Sequence, residues 1–149
     1  MENDRFCPRI GEVYSMYFDG AGSTQRGWRP GVVFQNDIGN RFSPNIIALP
    51  LTSSIKKVGQ PTHVVLDAAE TGLRMDSMAL CENLACIPKE MVGDYITTLP
   101  ERYMKEIAAA SLLATSAVMY LDRETLLATW QRASAMNSHD GNHNKTTIL

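Results

Sequence analysis

Two arginines, Arg26 and Arg29, follow Ser23, Thr24 and Gln25 in the stretch GSTQRGWRP, residues 22–30. A guanidinium is a planar, permanently charged fork of donors suited to a phosphate or carboxylate. Pro30 stiffens the backbone beside Arg29, and Gly22 and Gly27 let backbone amides come close to a ligand. Thr52 ends the apolar run NIIALPLT, so an arginine at one strand end could meet a threonine hydroxyl at another in a compact anion site. From the residues alone two readings stand. The stretch is an ordinary solvated turn, the commoner case, or it is a cradle for something negatively charged.

Other chemistry-bearing residues offer less. His63 has a side chain suited to proton transfer near neutral pH, but its place in the run THVVLD favours a buried, hydrogen-bonded imidazole. Cys7, Cys81 and Cys86 are an odd set without C-x-x-C spacing, so neither a disulfide framework nor a zinc site is expected. Cys81 and Cys86 lie in an apolar segment and read as core thiols. His139 and His143 stand four apart, but Gly141 breaks any helix that would align them on a metal.

The elements that must position these groups are mostly strands. IGEVYSMYF (10–18), PGVVFQN (30–36), NIIALPLTS (45–53), THVVLD (62–67) and SMALCENLACI (77–87) are five apolar runs separated by turn residues, the last long for one strand. In the first, Val13, Ser15 and Tyr17 alternate imperfectly with Glu12, Tyr14 and Met16. NDIGN reads as a turn, and Pro50 suggests that the third strand is an edge or carries a bulge. Strands without intervening helices point to an antiparallel sheet or small barrel. Thr98 and Glu101 then form a capping-box pattern ahead of ERYMKEIAAASLLATSAVMYL, a helix over 101–121 with Met104, Ile107, Ala108, Leu112, Val118 and Met119 near one face. Asp122 caps a further helix to Met136, with Leu126, Leu127 and Trp130 on one side. That helix docks, or serves as an interface if Trp130 is exposed. Residues 137–149 read as a polar, flexible tail.

A chain of 149 residues suits one domain, and 44% hydrophobic with 20% charged residues is ordinary for a globular protein. No apolar run is long enough to span a membrane, and the N-terminus lacks a secretory layout, so a cytoplasmic location is expected. A net charge of −2 argues against a broad basic nucleic-acid surface. Yet residues 19–60 hold Arg26, Arg29, Arg41, Lys56 and Lys57 against only Asp19 and Asp37, a local excess of positive charge.

The motifs Gly11-Glu12-Val13-Tyr14, Gly22 to Pro30, Gln35-Asn36-Asp37-x-Gly39-Asn40, Ser43-Pro44, Pro50-Leu51-Thr52-Ser53 and Pro61-Thr62-His63-Val64 occur in that order. Gly72-Leu73, Asp76-Ser77 and Glu82 continue it. Together they resemble the MazF/PemK family of toxins over roughly residues 10 to 120. The resemblance implies a mainly β chain, an SH3-like small β-barrel with a C-terminal helix, usually a homodimer. The toxin domain would then span 1–121, with 122–136 an added helix and 137–149 a tail. It also implies a sequence-specific endoribonuclease that cuts single-stranded RNA without metal or cofactor and is neutralised by a cognate antitoxin protein. DNA is then met only indirectly, through an antitoxin complex.

Matched residue by residue, the catalytic pair is Arg29 and Thr52, with Ser23, Gln25, Arg26 and Glu82 on the RNA-binding surface. Arg26 reads equally as RNA steering or as a solvated loop charge. The chain departs from the family in two places. Glu82-Asn83-Leu84-Ala85 stands where Glu-Gln-x-Arg is common, and Thr24 replaces the usual loop glutamate. The missing arginine keeps open a weakened relative that binds RNA or antitoxin without cutting. A CcdB-like, gyrase-binding toxin shares the fold, but would have no need of Arg29, Thr52 and the Ser-x-Gln loop.

Overall fold

The computed structural model describes residues 6–20, 26–56 and 58–139. Its strands are β1 (Glu12–Phe18), β2 (Gly27–Val33), β3 (Asn45–Thr52), β4 (His63–Leu66), β5 (Ser77–Leu80), β6 (Ala85–Pro88) and β7 (Val92–Thr98). All pair antiparallel, in the order β4-β5-β3-β2-β1-β7, with β6 also on β3. The architecture is the expected mainly-β, SH3-like one, with the sheet open between its edge strands β4 and β7.

Strands β1 to β3 bury both faces. Val13, Val32, Leu49 and Leu51 pack with Tyr103 and Ile107, whereas Tyr14, Met16, Phe18, Val33, Ile46 and Ala48 form a second core with Ile87. Two-sided burial explains why VVF and NIIAL run apolar without a break. It also corrects the alternation expected in β1: Tyr14, Met16 and Phe18 are the inward set, while Ser15 and Tyr17 are only half-buried.

Pro50 does not mark an edge. β3 is central, paired to β2 on one side and to two strands on the other: β6 as far as Ala48, then β5 from Leu51. Pro50 falls in the gap between those two ladders, where a missing N–H breaks neither. The switch also explains the over-long run 77–87. It is two strands separated by a 3-10 turn, Cys81–Asn83, which lets the chain step from one end of β3 to the other.

NDIGN is not a turn but the start of a short helix, α1 (Asp37–Phe42). The Asn36 side chain caps it by accepting from the Gly39 N–H at 2.9 Å. Asn40 is fully buried; its Nδ2 donates to the Gln35 carbonyl at 2.9 Å and its Oδ1 accepts from Gln35 Nε2 at 3.2 Å. A Cβ on Gly39 would lie 2.9 Å from that Gln35 side chain. Glycine is therefore needed here for closeness rather than for positive φ. A second short helix, α2 (Ala68–Thr71), is capped by Asp67 and ended by Gly72 at φ 76°.

Helix α3 covers Glu101–Ala114 and stops seven residues short of the expected Leu121. Ser116, at φ 56°, turns the chain away into a 3-10 turn at Ala117–Met119. The buried face is Tyr103, Ile107, Ala110 and Ser111, so Leu112, Val118 and Met119 lie outside. No capping box forms, because Thr98 belongs to β7 and its hydroxyl meets Tyr95 OH at 2.8 Å. Asp122 does cap α4 (Arg123–His139), taking hydrogen bonds from the N–H and hydroxyl of Thr125. None of the described α4 side chains is buried; Trp130 is half-buried, while Leu126 and Leu127 are more than half exposed. Beyond residue 139 the expected tail lies outside the described residues.

Candidate active site

The site begins with strand register. β2 and β3 pair as Val33↔Ala48, Val32↔Leu49 and Gly31↔Pro50, where their ladder ends; the same register continued would bring Arg29 opposite Thr52, which itself pairs with Met78 of β5. Arg29 and Thr52 are half-buried. β2 begins at Gly27 rather than Pro30, so Arg29 lies within a strand, paired with Met16 of β1, and not in the loop before it. Its Nη2 donates to the Arg26 carbonyl at 3.0 Å. The Thr52 hydroxyl oxygen accepts from the Ser54 N–H at 3.1 Å, which leaves the hydroxyl proton available to donate.

Gly31 shows how tightly Arg29 is seated. A Cβ there would come within 2.8 Å of the Phe18 ring and 2.9 Å of Met16 Sδ, both buried. The Arg-Pro-Gly sequence therefore aims a cation from a backbone already in contact with β1. The Arg26 side chain is exposed, and its carbonyl makes the structural contribution. The sequence pointed to Arg26 through its charge; nothing in residue type announces a carbonyl as an anchor. Ser23, Thr24 and Gln25 lie outside the described residues, as does Lys57.

Glu82 stands apart from the arginine, in the 3-10 turn. With Asn83, Leu84 and Ala85 it faces Phe18, Asp19, Gly20 and Pro50 across an open cleft of about 230 Å³. Its Oε1 lies 2.7 Å from Nε2 of His63, whose side chain is only 9% exposed. The sequence placed His63 correctly inside, but the partnership across 19 positions depends on the β4–β5 hairpin, which pairs His63 with Leu80. Ala85, where the family's arginine is absent, sits in β6 opposite Ala48 and packs against the second core.

The three thiols separate. Cys81 is buried, and that burial pushes its pKa up to about 11, with the nearby Ser111 hydroxyl opposing it and the Glu82 charge adding to it. Cys86 is exposed rather than core, because it projects outward between Ala85 and Ile87 of β6. Among the described residues no group of three His, Cys, Asp or Glu side chains could hold a metal ion, and no helix is long and apolar enough to cross a membrane.

The model of PemK-like, MazF-like toxins of type II toxin–antitoxin systems matches residues 9–113. The chain belongs to that family. Among curated relatives, it is 45% identical over 89 residues to the endoribonuclease EndoA of Bacillus subtilis, covering 60% of this chain and 77% of that one. It is 37% identical over 100 residues to the endoribonuclease MazF of Staphylococcus saprophyticus, covering 66% and 83%. MazF from Deinococcus radiodurans superposes with a TM-score of 0.64 at 20% identity, over 74% of this chain and 98% of that one. A mycobacterial endoribonuclease in complex with its cognate antitoxin gives 0.60 at 23% identity, over 73% and 95%. At such identities the structural likeness speaks for the fold alone. The family match ends within α3, so α4 lies beyond it.

Proposed function

We propose that this chain is the toxin of a type II toxin–antitoxin pair, a metal-independent endoribonuclease that cleaves single-stranded RNA at specific sequences. What supports the reading is the antiparallel β2–β3 pairing, whose register, continued two residues past Gly31↔Pro50, would put Arg29 across from Thr52. RNA brings its own nucleophile, the 2′-hydroxyl. Its attack on the adjacent phosphorus forms a 2′,3′-cyclic phosphate and breaks the bond to the 5′-oxygen, which leaves as a hydroxyl. The pentacovalent phosphorane carries extra negative charge on its equatorial oxygens, where Arg29 acts, and such preorganised stabilisation is worth about 10²- to 10³-fold per donor. Thr52 donates its hydroxyl to the phosphate or orients the 2′-hydroxyl. Arg29 is a poor general base, since a guanidinium in a protein keeps its proton and has no acceptor.

Ser23, Gln25, Arg26 and Glu82 complete the RNA surface in this reading, with residues 1–121 as the toxin domain, 122–136 as an added helix and 137–149 as a tail. The active form is a cytoplasmic homodimer, and the antitoxin lays an acidic, extended segment over the same basic groove. The names of EndoA and MazF among the curated relatives support the RNA activity, and the antitoxin-bound mycobacterial structure supports the partner.

The test is digestion of a long single-stranded RNA in EDTA by wild type, Arg29→Ala and Thr52→Ala, with the ends mapped. Cuts recurring at one short sequence, lost in both variants and leaving 5′-hydroxyl ends, are the expected result. A folded wild type that binds RNA and cuts none would favour the binding-only reading that Ala85 raises.

A further inference from the structure

Glu82 belongs to the RNA surface of that reading, but its partner His63 has no assigned task. Glu82 is the charged end of the 3-10 turn, and its side chain is 35% exposed on the rim of the cleft opposite Phe18, Asp19 and Pro50. One carboxylate oxygen, Oε1, is held by His63 Nε2 at 2.7 Å; Oε2 makes no hydrogen bond among the described residues. A free glutamate on a turn samples many rotamers, whereas one clamped through a strand-borne imidazole keeps one.

The imidazole is suited to that single purpose. His63 is held by the β4–β5 ladder, and the Cys81 N–H donates to the Thr62 carbonyl at 3.0 Å, so strand and turn are tied together immediately beside the pair. Its other ring nitrogen, Nδ1, is buried and has no hydrogen-bond partner among the described residues. An apolar side chain would fill the same space without stranding a polar atom, so packing does not account for a histidine here. What the imidazole adds is the bond to Glu82.

We propose that His63 is a positioning residue for RNA recognition: it fixes the Glu82 carboxylate on the cleft rim, where Oε2 accepts a hydrogen bond from a nucleobase N–H. Two carboxylates, Glu82 and Asp19, line the cleft and repel phosphate, so the cleft takes the base and leaves the phosphate to Arg29. Unpaired bases in single-stranded RNA expose their Watson–Crick donors to such an acceptor. This deepens the ribonuclease reading and rests on it. His63 does not act as the general base, because its Nε2 is committed to Glu82.

Wild type, Arg29→Ala, His63→Ala, His63→Gln and Glu82→Gln are compared for binding to a single-stranded RNA and for cleavage of it, with thermal melting as the folding control. His63→Ala raises KM and the binding Kd about tenfold, the worth of a hydrogen bond to a charged group, and leaves kcat within about twofold. His63→Gln, whose amide can still donate to Glu82, recovers most of the loss. Adding His63→Ala to Glu82→Gln costs nothing further. A fall in kcat at unchanged KM, wild-type binding by His63→Ala, or a glutamine variant that melts like wild type yet binds like alanine overturns the positioning role. A wild type that binds without cutting overturns the cleavage reading alone, and the Kd comparison still judges His63. A wild type that does neither overturns both.

Discussion

Asn40→Ala tests whether the Gln35-Asn36-Asp37-x-Gly39-Asn40 motif is structural, as its geometry says, rather than part of the chemistry. Asn40 is fully buried, and both of its side-chain hydrogen bonds go to Gln35. Gln35 in turn reaches β3: its Nε2 donates to the Asn45 carbonyl and its Oε1 accepts from the Ile47 N–H, each at 3.2 Å. Truncation to alanine strands the Gln35 backbone carbonyl, at about 1–3 kcal/mol for a buried acceptor left unpaired. The Nε2 donor loses one of two acceptors and keeps Asn45, adding about 0.5–1.5 kcal/mol. The total is about 1.5–4.5 kcal/mol, which for a domain of this size lowers Tm by about 5–14 °C. Thermal unfolding at one fixed protein concentration reads it, since association would shift Tm by itself. Asn40→Asp should fall further, because it sets an acceptor against the Gln35 carbonyl and buries a charge. A Tm for Asn40→Ala within about 1–2 °C of wild type, less than about 1 kcal/mol at this domain size, would refute the reasoning. So would loss of RNA cleavage in protein that melts normally.

Three further outcomes follow from the packing. At pH 8 iodoacetamide should alkylate Cys7 and Cys86 quickly and Cys81 only after unfolding, because Cys81 is buried and its thiol is pushed up to about 11; mass spectrometry of the intact chain counts the adducts. Burial and the Glu12 carboxylate raise the Tyr14 pKa from 10.0 to about 12. The unfolded chain therefore releases that proton first, and the stability it contributes is full below pH 10 and lost between 10 and about 12. Denaturant unfolding across that range should decline more steeply for wild type than for Tyr14→Phe, and equal slopes would refute it. Ala85→Arg, on half-exposed β6, should tighten RNA binding and steepen the dependence of log Kd on log salt by about 0.7, the value for one added contact to a single strand. An unchanged slope would mean that the position does not reach a phosphate.

The features legible in the residues were the local ones. An alanine-rich run beginning after Pro100 forms α3, and Asp122 ahead of a run without Gly or Pro caps α4, because both signals act within one helical turn. The mainly-β class was legible too, from spacing, and the resemblance named Arg29 and Thr52 as the candidate pair. Pairing was not. Pro50 reads as an edge residue until β3 is seen to exchange β6 for β5 around it, and 77–87 reads as one strand until the same exchange divides it. β7 escaped notice because an edge strand exposed along most of its length carries no alternating pattern. Likewise the stop of α3 at Ala114 shows no glycine or proline; the turn is made by Ser116 in a left-handed conformation that its residue type does not advertise. The fold alone ran β2 against β3 and closed the His63–Glu82 pair across 19 positions, since strand register is set by burial on two faces at once and not by any one segment.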